Sequence, residues 1–356
     1  MILASVTANN FRNLEPDPIT FHAQTNLVVG RNGQGKTNLL EAIYFLATTK
    51  SFRTPRLANV VRFEQPSVFV SGALQRQRIE KALSIGVEAA ESRRRVLMVN
   101  EESVSLHDYL AAMSVFAYSA ARLEILRGAP EERRRFLDRG VASINPAYLQ
   151  DLIRYARVLR QRNALLQSGS HGSLEAWDAE FAISAAAVQR ARAAYADELS
   201  AAFAEIVARH GYHIRDLRMT YRPSGVDDPA RVRRLEIRAR TSLAGPQRDN
   251  IEFAIDGRNA AEVLSGGEQK MIVLLLKFAK LELFRRRHGE SALFLLDDLD
   301  AELDLEILQN LLTRLPSETQ LFATSAKEPV VGALQSGPHR RLVIEKGRVI
   351  DSRDFS

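Results

Sequence analysis

Gly30-Arg31-Asn32-Gly33-Gln34-Gly35-Lys36-Thr37 is the stretch on which the reading of this 356-residue chain turns. It fits G-x-x-x-x-G-K-[ST], in which glycines let the loop wrap until its backbone N–H groups point at phosphate oxygens. Lys36 is then expected to reach the β- and γ-phosphates of a nucleotide, and the Thr37 hydroxyl to hold Mg²⁺. The flanks agree. Leu27–Val29 is a β-rich run that stops at Gly30, and from Asn38 to Thr48 the apolar residues Leu39, Leu40, Ile43 and Leu46 recur at helical spacing. Strand, glycine loop and helix in succession favour a phosphate-binding loop over a ligand-free turn. They assign Gly30 through Asn38 to the nucleotide.

Two later segments supply what such a loop needs. Leu293-Phe294-Leu295-Leu296-Asp297-Asp298 is four apolar residues followed by two acids. A buried strand that delivers carboxylates at its C-terminal end does so where open α/β sheets bind ligands. Asp297 is expected to bind Mg²⁺, and Asp298 to polarise the attacking water in line with the leaving group. Taken alone, the run also reads as a core strand followed by an N-cap aspartate. Leu264-Ser265-Gly266-Gly267-Glu268-Gln269-Lys270 has Ser265 and Glu268 at capping-box spacing. A capped helix start with two glycines also offers N–H groups and a positive dipole end to a γ-phosphate, so the two readings are compatible.

Composition sets the frame. Hydrophobic residues are 46% and charged residues 26%, which describes a globular chain rather than a disordered one. There is no cysteine, which removes disulfides, thiolate zinc sites and a catalytic thiol. The opening residues show no basic segment followed by a long apolar one, and the most apolar helical stretch, Met271 to Phe284, is interrupted by Lys277 and Lys280. No membrane partner and a cytoplasmic location are therefore expected.

The formal charge is +6, and 41 of the 49 basic residues are arginine, whose planar fork pairs with phosphate. Arg122 to Arg162 holds ten arginines against five acids, and His210 to Arg240 eight against four. Solvated helix faces also carry such charge. Aromatics are sparse there, so contact with the backbone of duplex DNA, or of a single-strand/double-strand junction, fits better than a single-strand groove.

Along the chain, strands are expected at Ile2–Ala8, Ile19–Phe21, Val68–Leu74, Ile79–Val87 and Val96–Val99. Helical character begins at Ser105. Pro130, Glu131 and Glu132 suit a first helical turn. Asn145-Pro146 opens a helix to about Gln167, a Gly/Ser turn comes next, and an alanine-rich helix runs from Leu174 to His210. Strands return at Ile214–Tyr221 and Leu235–Arg240, then at Leu321–Ala323 and Leu342–Glu345, with a helix around Leu303–Leu315. The expected domains are a split nucleotide-binding lobe, 1–104 with 241–356, and a helical lobe, 105–240, whose antiparallel arm spans about 145–210.

A phosphate-binding loop, a Leu-Ser-Gly-Gly-Glu-Gln signature and a strand ending in two acids, in this order, resemble the ABC-type ATPase head. Within it the match narrows to the RecF family. Phe11-Arg12-Asn13, Gly35 through Ile43, Lys50-Ser51-Phe52-Arg53-Thr54, Arg133 through Asp138, Gly245-Pro246-Gln247-Arg248-Asp249 and Glu302-Leu303-Asp304 are similar to blocks of that family. The resemblance implies an α/β fold: an ABC-type head (a P-loop α/β core with a flanking antiparallel sheet) plus an inserted helical lobe with an antiparallel helical arm. It places Arg12 and Asn13 near the nucleotide and Arg53 toward the phosphates. It has Ser265, Gly266, Gly267 and Glu268 act in trans, and makes Glu302 and Asp304 part of a D-loop between subunits. It further implies ATP and Mg²⁺, an ATP-dependent homodimer on DNA, slow hydrolysis, and loading of RecA together with RecR and RecO.

Three departures stand out. Ser119-Ala120-Ala121-Arg122-Leu123 replaces the usual Ser-Pro-Glu-Asp-Leu, Gln247 replaces a histidine, and Thr324-Ser325 offers no switch histidine, which the family also lacks. A RecF-like paralogue, or a DNA clamp that binds ATP with negligible hydrolysis, is the alternative. A transporter ATPase would not need so long a helical middle, a full SMC protein would need a far longer coiled coil, and a zinc-hook ATPase would need cysteines.

Overall fold

The computed structural model describes residues 1–90, 94–119, 124–169, 172, 174–210, 217–225, 229–298, 309, 312, 315–327, 332 and 337–356. The chain divides into two compact units, Met1–Arg122 with Lys280–Ser356, and Leu123–Ala279.

The first unit is built on apolar runs that can only be strands buried on both faces. Leu293–Asp297 and Leu321–Ser325 are buried at every position, and Thr25–Val29 at four of five. They lie in a six-stranded sheet in the order Arg348–Phe355, His339–Glu345, Thr25–Val29, Leu321–Ser325, Leu293–Asp297, Val115–Ser119. Every pairing is parallel except that of the edge strand Arg348–Phe355. Ser325 pairs with Val29, and Leu296 with Ala323, so this register holds the carboxyl ends of three neighbouring strands level. That edge is where an open parallel sheet takes a ligand.

A second, antiparallel sheet runs Ile19–Thr20, Ile2–Asn9, Ser67–Arg76, Ile79–Glu88, Arg95–Val99, Glu102–Ser103. Its strands alternate buried and exposed, as one-sided sheets do. The helix Lys36–Thr48 has ten buried residues of its thirteen, because one core cluster holds it together with side chains of both sheets. A helix apolar on nearly all sides is one sandwiched between layers.

The second unit contains the helices Pro130–Ile144, Tyr148–Ser168 and Leu174–His210, and a three-stranded sheet of Leu217–Arg222, Asn250–Ile255 and Arg258–Asn259. Tyr148–Ser168 and Leu174–His210 form the expected antiparallel pair, tied by Arg154 to Glu180 at 2.6 Å and Arg162 to Asp178 at 2.8 Å. Gly140 lets another helix approach the second of them: a Cβ there would lie 2.3 Å from the Tyr195 ring.

Two expectations change. The stretch Leu235–Arg240, read as a strand, lies in the helix Pro229–Ala239 except for Arg240, which follows it. Helical winding leaves Leu235 43% exposed and buries Glu236, which accepts from Arg162 at 2.6 Å. The compact units also divide elsewhere than at 104/105 and 240/241. Val115–Ser119 pairs in the first unit's parallel sheet, and Asn250–Ile255 pairs with Leu217–Arg222 in the second. The helix expected around Leu303–Leu315 lies almost wholly outside the described residues.

Candidate nucleotide-binding site

The glycine loop leaves the sheet at Val29. Gly30 has φ 153°, and a Cβ there would sit 2.4 Å from the Ile344 carbonyl oxygen, so only glycine passes the neighbouring strand. Gly35, at φ 117°, opens the helix Lys36–Thr48 with Asn13 Oδ1 3.1 Å from where its Cβ would be. That helix has no side-chain cap and no acid in its first turn, so its first N–H groups and positive dipole end are left to an anion. The Lys36 ammonium is buried, donating to the carbonyls of Gly30 at 2.7 Å and Arg31 at 3.1 Å.

At the level strand ends, Asp297 Oδ1 accepts from the Thr37 and Thr324 hydroxyls, each at 2.9 Å. The Asp298 N–H donates to the Thr324 hydroxyl at 2.7 Å. Asp298 itself is exposed, with φ 54°, a left-handed conformation that aspartate tolerates better than most residues. Burial raises the Asp297 pKa, the two hydroxyls oppose that, and the charge of Asp298 adds to it. A hydroxyl beside a single buried carboxylate is a hard-oxygen pair of the sort Mg²⁺ takes together with waters and nucleotide phosphates. The residues fit that ion, although among the described residues no cluster of three metal-ligating side chains exists.

A second network lines the same cavity, which measures about 600 Å³. Buried Glu41 receives the Arg12 guanidinium in two hydrogen bonds of 2.9 and 3.0 Å, Arg53 at 3.4 Å and the Ser51 hydroxyl. Arg53 also donates to Asn38 Oδ1 at 2.7 Å, and the Asn38 amide to Asn13 at 2.6 Å. Arg12, Asn13, Asn32, Gly33, Gly35, Lys36, Thr37, Asn38, Arg53 and Asp298 all line the cavity. Sequence reading missed Glu41, although it is the lone acid of an otherwise apolar helix. It also missed Asn59, Val61, Arg62 and Phe63, which line the same space.

Other expected site residues stand differently. The Gln34 carboxamide is turned to the backbone, accepting from Lys346 N–H at 2.8 Å, which anchors the loop to the turn after His339–Glu345. In the second unit Ser265 and Glu268 form the reciprocal capping box, with hydrogen bonds of 2.8 and 3.3 Å, just ahead of Gly266 and Gly267. Glu302 and Asp304 lie outside the described residues, as do Ala120 to Leu123. Gln247 stands where the resemblance implies histidine; it donates to the Ala244 carbonyl at 2.8 Å and accepts from the Tyr155 hydroxyl. The basic stretch of the second unit is partly committed to the protein. Arg162 is buried against Asp178 and Glu236, and Arg135 pairs with Glu131 and Glu132, while Arg157 and Arg160 are exposed.

Fold and site together define a P-loop head of the SMC kind: the family model for the RecF/RecN/SMC N terminal domain matches residues 2–338. Two relatives narrow this. The DNA replication and repair protein RecF of Geobacter sp. (strain M21) is 32% identical over 99% of this chain and 100% of its own length. That of Myxococcus xanthus (strain DK1622) is 35% identical over 86% of this chain and 85% of its own. The chain belongs to the RecF family. Among solved structures, the recombination mediator protein RecF with ATP, described in the RecFOR pathway, superposes with a TM-score of 0.88 at 26% identity, covering 100% of this chain and 98% of the other. An Smc head bound to the C-winged helix domain of ScpA, at 16% identity, TM-score 0.57 and coverage of 100% and 98%, shares the fold alone.

Proposed function

We propose that this chain is an ATP-dependent DNA-binding protein of recombinational repair and replication-gap processing. One observation carries the reading: Thr37, Asp297, Thr324 and Asp298 form a single hydrogen-bonded chain beside the helix start that the glycine loop leaves open. Lys36 and the loop N–H groups hold the phosphates, and Thr37 and Asp297 hold Mg²⁺, which when bound neutralises charge on the γ-phosphate. Asp298, one residue further and exposed, orients the attacking water. Its short reach suits slow hydrolysis, a switch rather than a motor.

In this reading the capped start at Ser265-Gly266-Gly267 closes over the nucleotide of a second copy, so ATP drives a homodimer. Exposed arginines of the helix Tyr148–Ser168, Arg157 and Arg160 among them, meet the DNA backbone at a duplex or junction. The matched structure's place in the RecFOR pathway supports work together with RecR and RecO; in this reading the protein helps to load RecA, in the cytoplasm.

Sizing the protein with and without ATP on gapped duplex tests this. A monomer without nucleotide and a dimer with ATP are expected, and Ser265→Arg should abolish the dimer while ATP binding holds. Equal loss of binding and dimer would mean that the signature acts within its own subunit.

A further inference from the structure

The nucleotide cavity contains a feature that the phosphate machinery does not use. Phe63 lines it with 86% of its surface exposed, the largest exposure of any large hydrophobic residue among those described. A phenylalanine in water forfeits the burial that normally draws it inside. Looseness does not account for it, because the chain is pinned on both sides of the ring. Arg12 N–H donates to the Val60 carbonyl at 2.8 Å, and Arg62 N–H to that of Asn10 at 2.7 Å. Phe11 and Val61 form an antiparallel bridge. The Arg62 guanidinium reaches back to the Arg12 carbonyl at 3.2 Å, to that of Leu14, and to Glu15 at 3.3 Å. After the ring, Gln65 N–H closes a turn onto Arg62 at 3.1 Å, with Glu64 left-handed at φ 64°. The segment is thus fastened to the turn after the strand Ile2–Asn9, which carries Arg12 and Asn13, and it presents the ring to the cavity. Asn59 lines the same space, its amide held by the Thr54 hydroxyl at 3.3 Å.

A pinned, solvent-facing ring with an amide nearby, sharing one cavity with Lys36 and Thr37, fits the part of a nucleotide that phosphate binding ignores. We propose that Phe63 is the stacking platform for the purine base, with Asn59 placed to meet the base edge. The proposal rests on the reading of Gly30–Thr37 as the phosphate site. Stacking accepts any π-face and strengthens with ring size, so Phe63 sets a preference for purine over pyrimidine nucleotides rather than a strict choice of adenine.

The test compares MgATP with inorganic tripolyphosphate, which has the phosphates and no base, by calorimetry on the full chain. Phe63→Ala should weaken ATP binding by roughly tenfold, the usual worth of a base–aromatic stack, and leave tripolyphosphate unchanged. Phe63→Trp in a Trp177→Phe background should keep ATP affinity, and ATP but not tripolyphosphate should quench its fluorescence. Unchanged ATP affinity in Phe63→Ala overturns the proposal. So does equal loss of both ligands, and so does intact affinity with a lost ATP dimer, which would assign the ring to contact between copies. A wild-type protein that binds neither ligand overturns the phosphate site itself, and the tripolyphosphate arm tells that failure from the others.

Discussion

Asp297 and Asp249 are both buried aspartates, one in each unit, 6% and 0% exposed, and their surroundings are opposite. Asp249 is saturated. It accepts from Arg192, Gln189 and the Ser224 N–H, each at 2.8 Å, and from the Tyr221 hydroxyl. Arg192 extends the network to Asp138 at 2.8 and 3.0 Å. Burial alone would lower the Arg192 pKa, but the hydrogen bonds and charge of Asp138 raise it overall. Asp297 has two hydroxyl donors and, among the described residues, no ion pair, and its pKa is raised by burial. A carboxylate neutralised inside the fold holds the fold together. One held by hydroxyls, with only the more distant charge of Arg53 in its favour, still carries its charge at a cost, and a divalent cation relieves it.

The largest effect expected from this contrast is in the second unit. Arg192→Met strands Asp138 and Asp249 without their cation, and breaking a buried pair costs about 3–5 kcal/mol. The urea midpoint of that unit, followed by circular dichroism, should fall accordingly. A shift near zero would mean that the network is not what holds the unit.

The two aspartates also differ in how legible they were. Asp297 comes after four apolar residues and shares a chain with a phosphate-binding loop, so local pattern and spacing located it. Asp249 appears in sequence only as part of a block similar to the RecF family. Its partners Arg192, Tyr221 and Ser224 lie at distances along the chain that no periodicity encodes. Glu41 was missed for the same reason, because what makes it part of the site is the return of Arg12 and Arg53 to one helix face. The strands Thr25–Val29, Leu293–Asp297 and Leu321–Ser325 were legible because burial on both faces forces continuous apolar runs. Their order was not, and Val115–Ser119 was passed over inside a stretch read as helical. Nor was Pro229–Ala239 legible, since a short run of Leu, Ile and arginines satisfies either period.

Next in size is the exposed neighbour. Asp298→Asn preserves the left-handed backbone, which asparagine also adopts, and keeps the N–H bond to Thr324. It removes only the charge that would orient water. ATP turnover should fall by ~10²–10⁴, the usual loss for such a group, while ATP binding holds or improves and the dimer on gapped duplex lives longer. Equal turnover in variant and wild type would remove Asp298 from the mechanism.

Lys36→Met should cost less, about an order of magnitude or more in ATP affinity, by removing the ammonium that the loop carbonyls hold for the β- and γ-phosphates. The apo protein should keep its circular dichroism spectrum and melting temperature nearly unchanged, because Gly30 and Arg31, which carry those carbonyls, are not buried and water can replace the ammonium there. Unimpaired binding of a fluorescent ATP analogue would show that this loop does not serve phosphate.

The smallest effect is the one that separates the two aspartates by sign. Asp297→Asn keeps the acceptor for the Thr37 and Thr324 hydroxyls and removes a buried charge that, among the described residues, no ion pair neutralises. In EDTA the variant should therefore be slightly more stable than the wild type, by about 1 kcal/mol or roughly 2–4 °C in Tm. Addition of MgATP should reverse the order. The wild type gains stability by binding to the folded state alone, and the variant, lacking the anionic ligand for the ion, gains much less. The matching change in the other unit, Asp249→Asn, leaves Arg192 short of a partner and should lower Tm with or without MgATP. Should Asp297→Asn also lower Tm in EDTA, the two carboxylates would be alike, both serving the fold, and the assignment of Asp297 to the cation would fail.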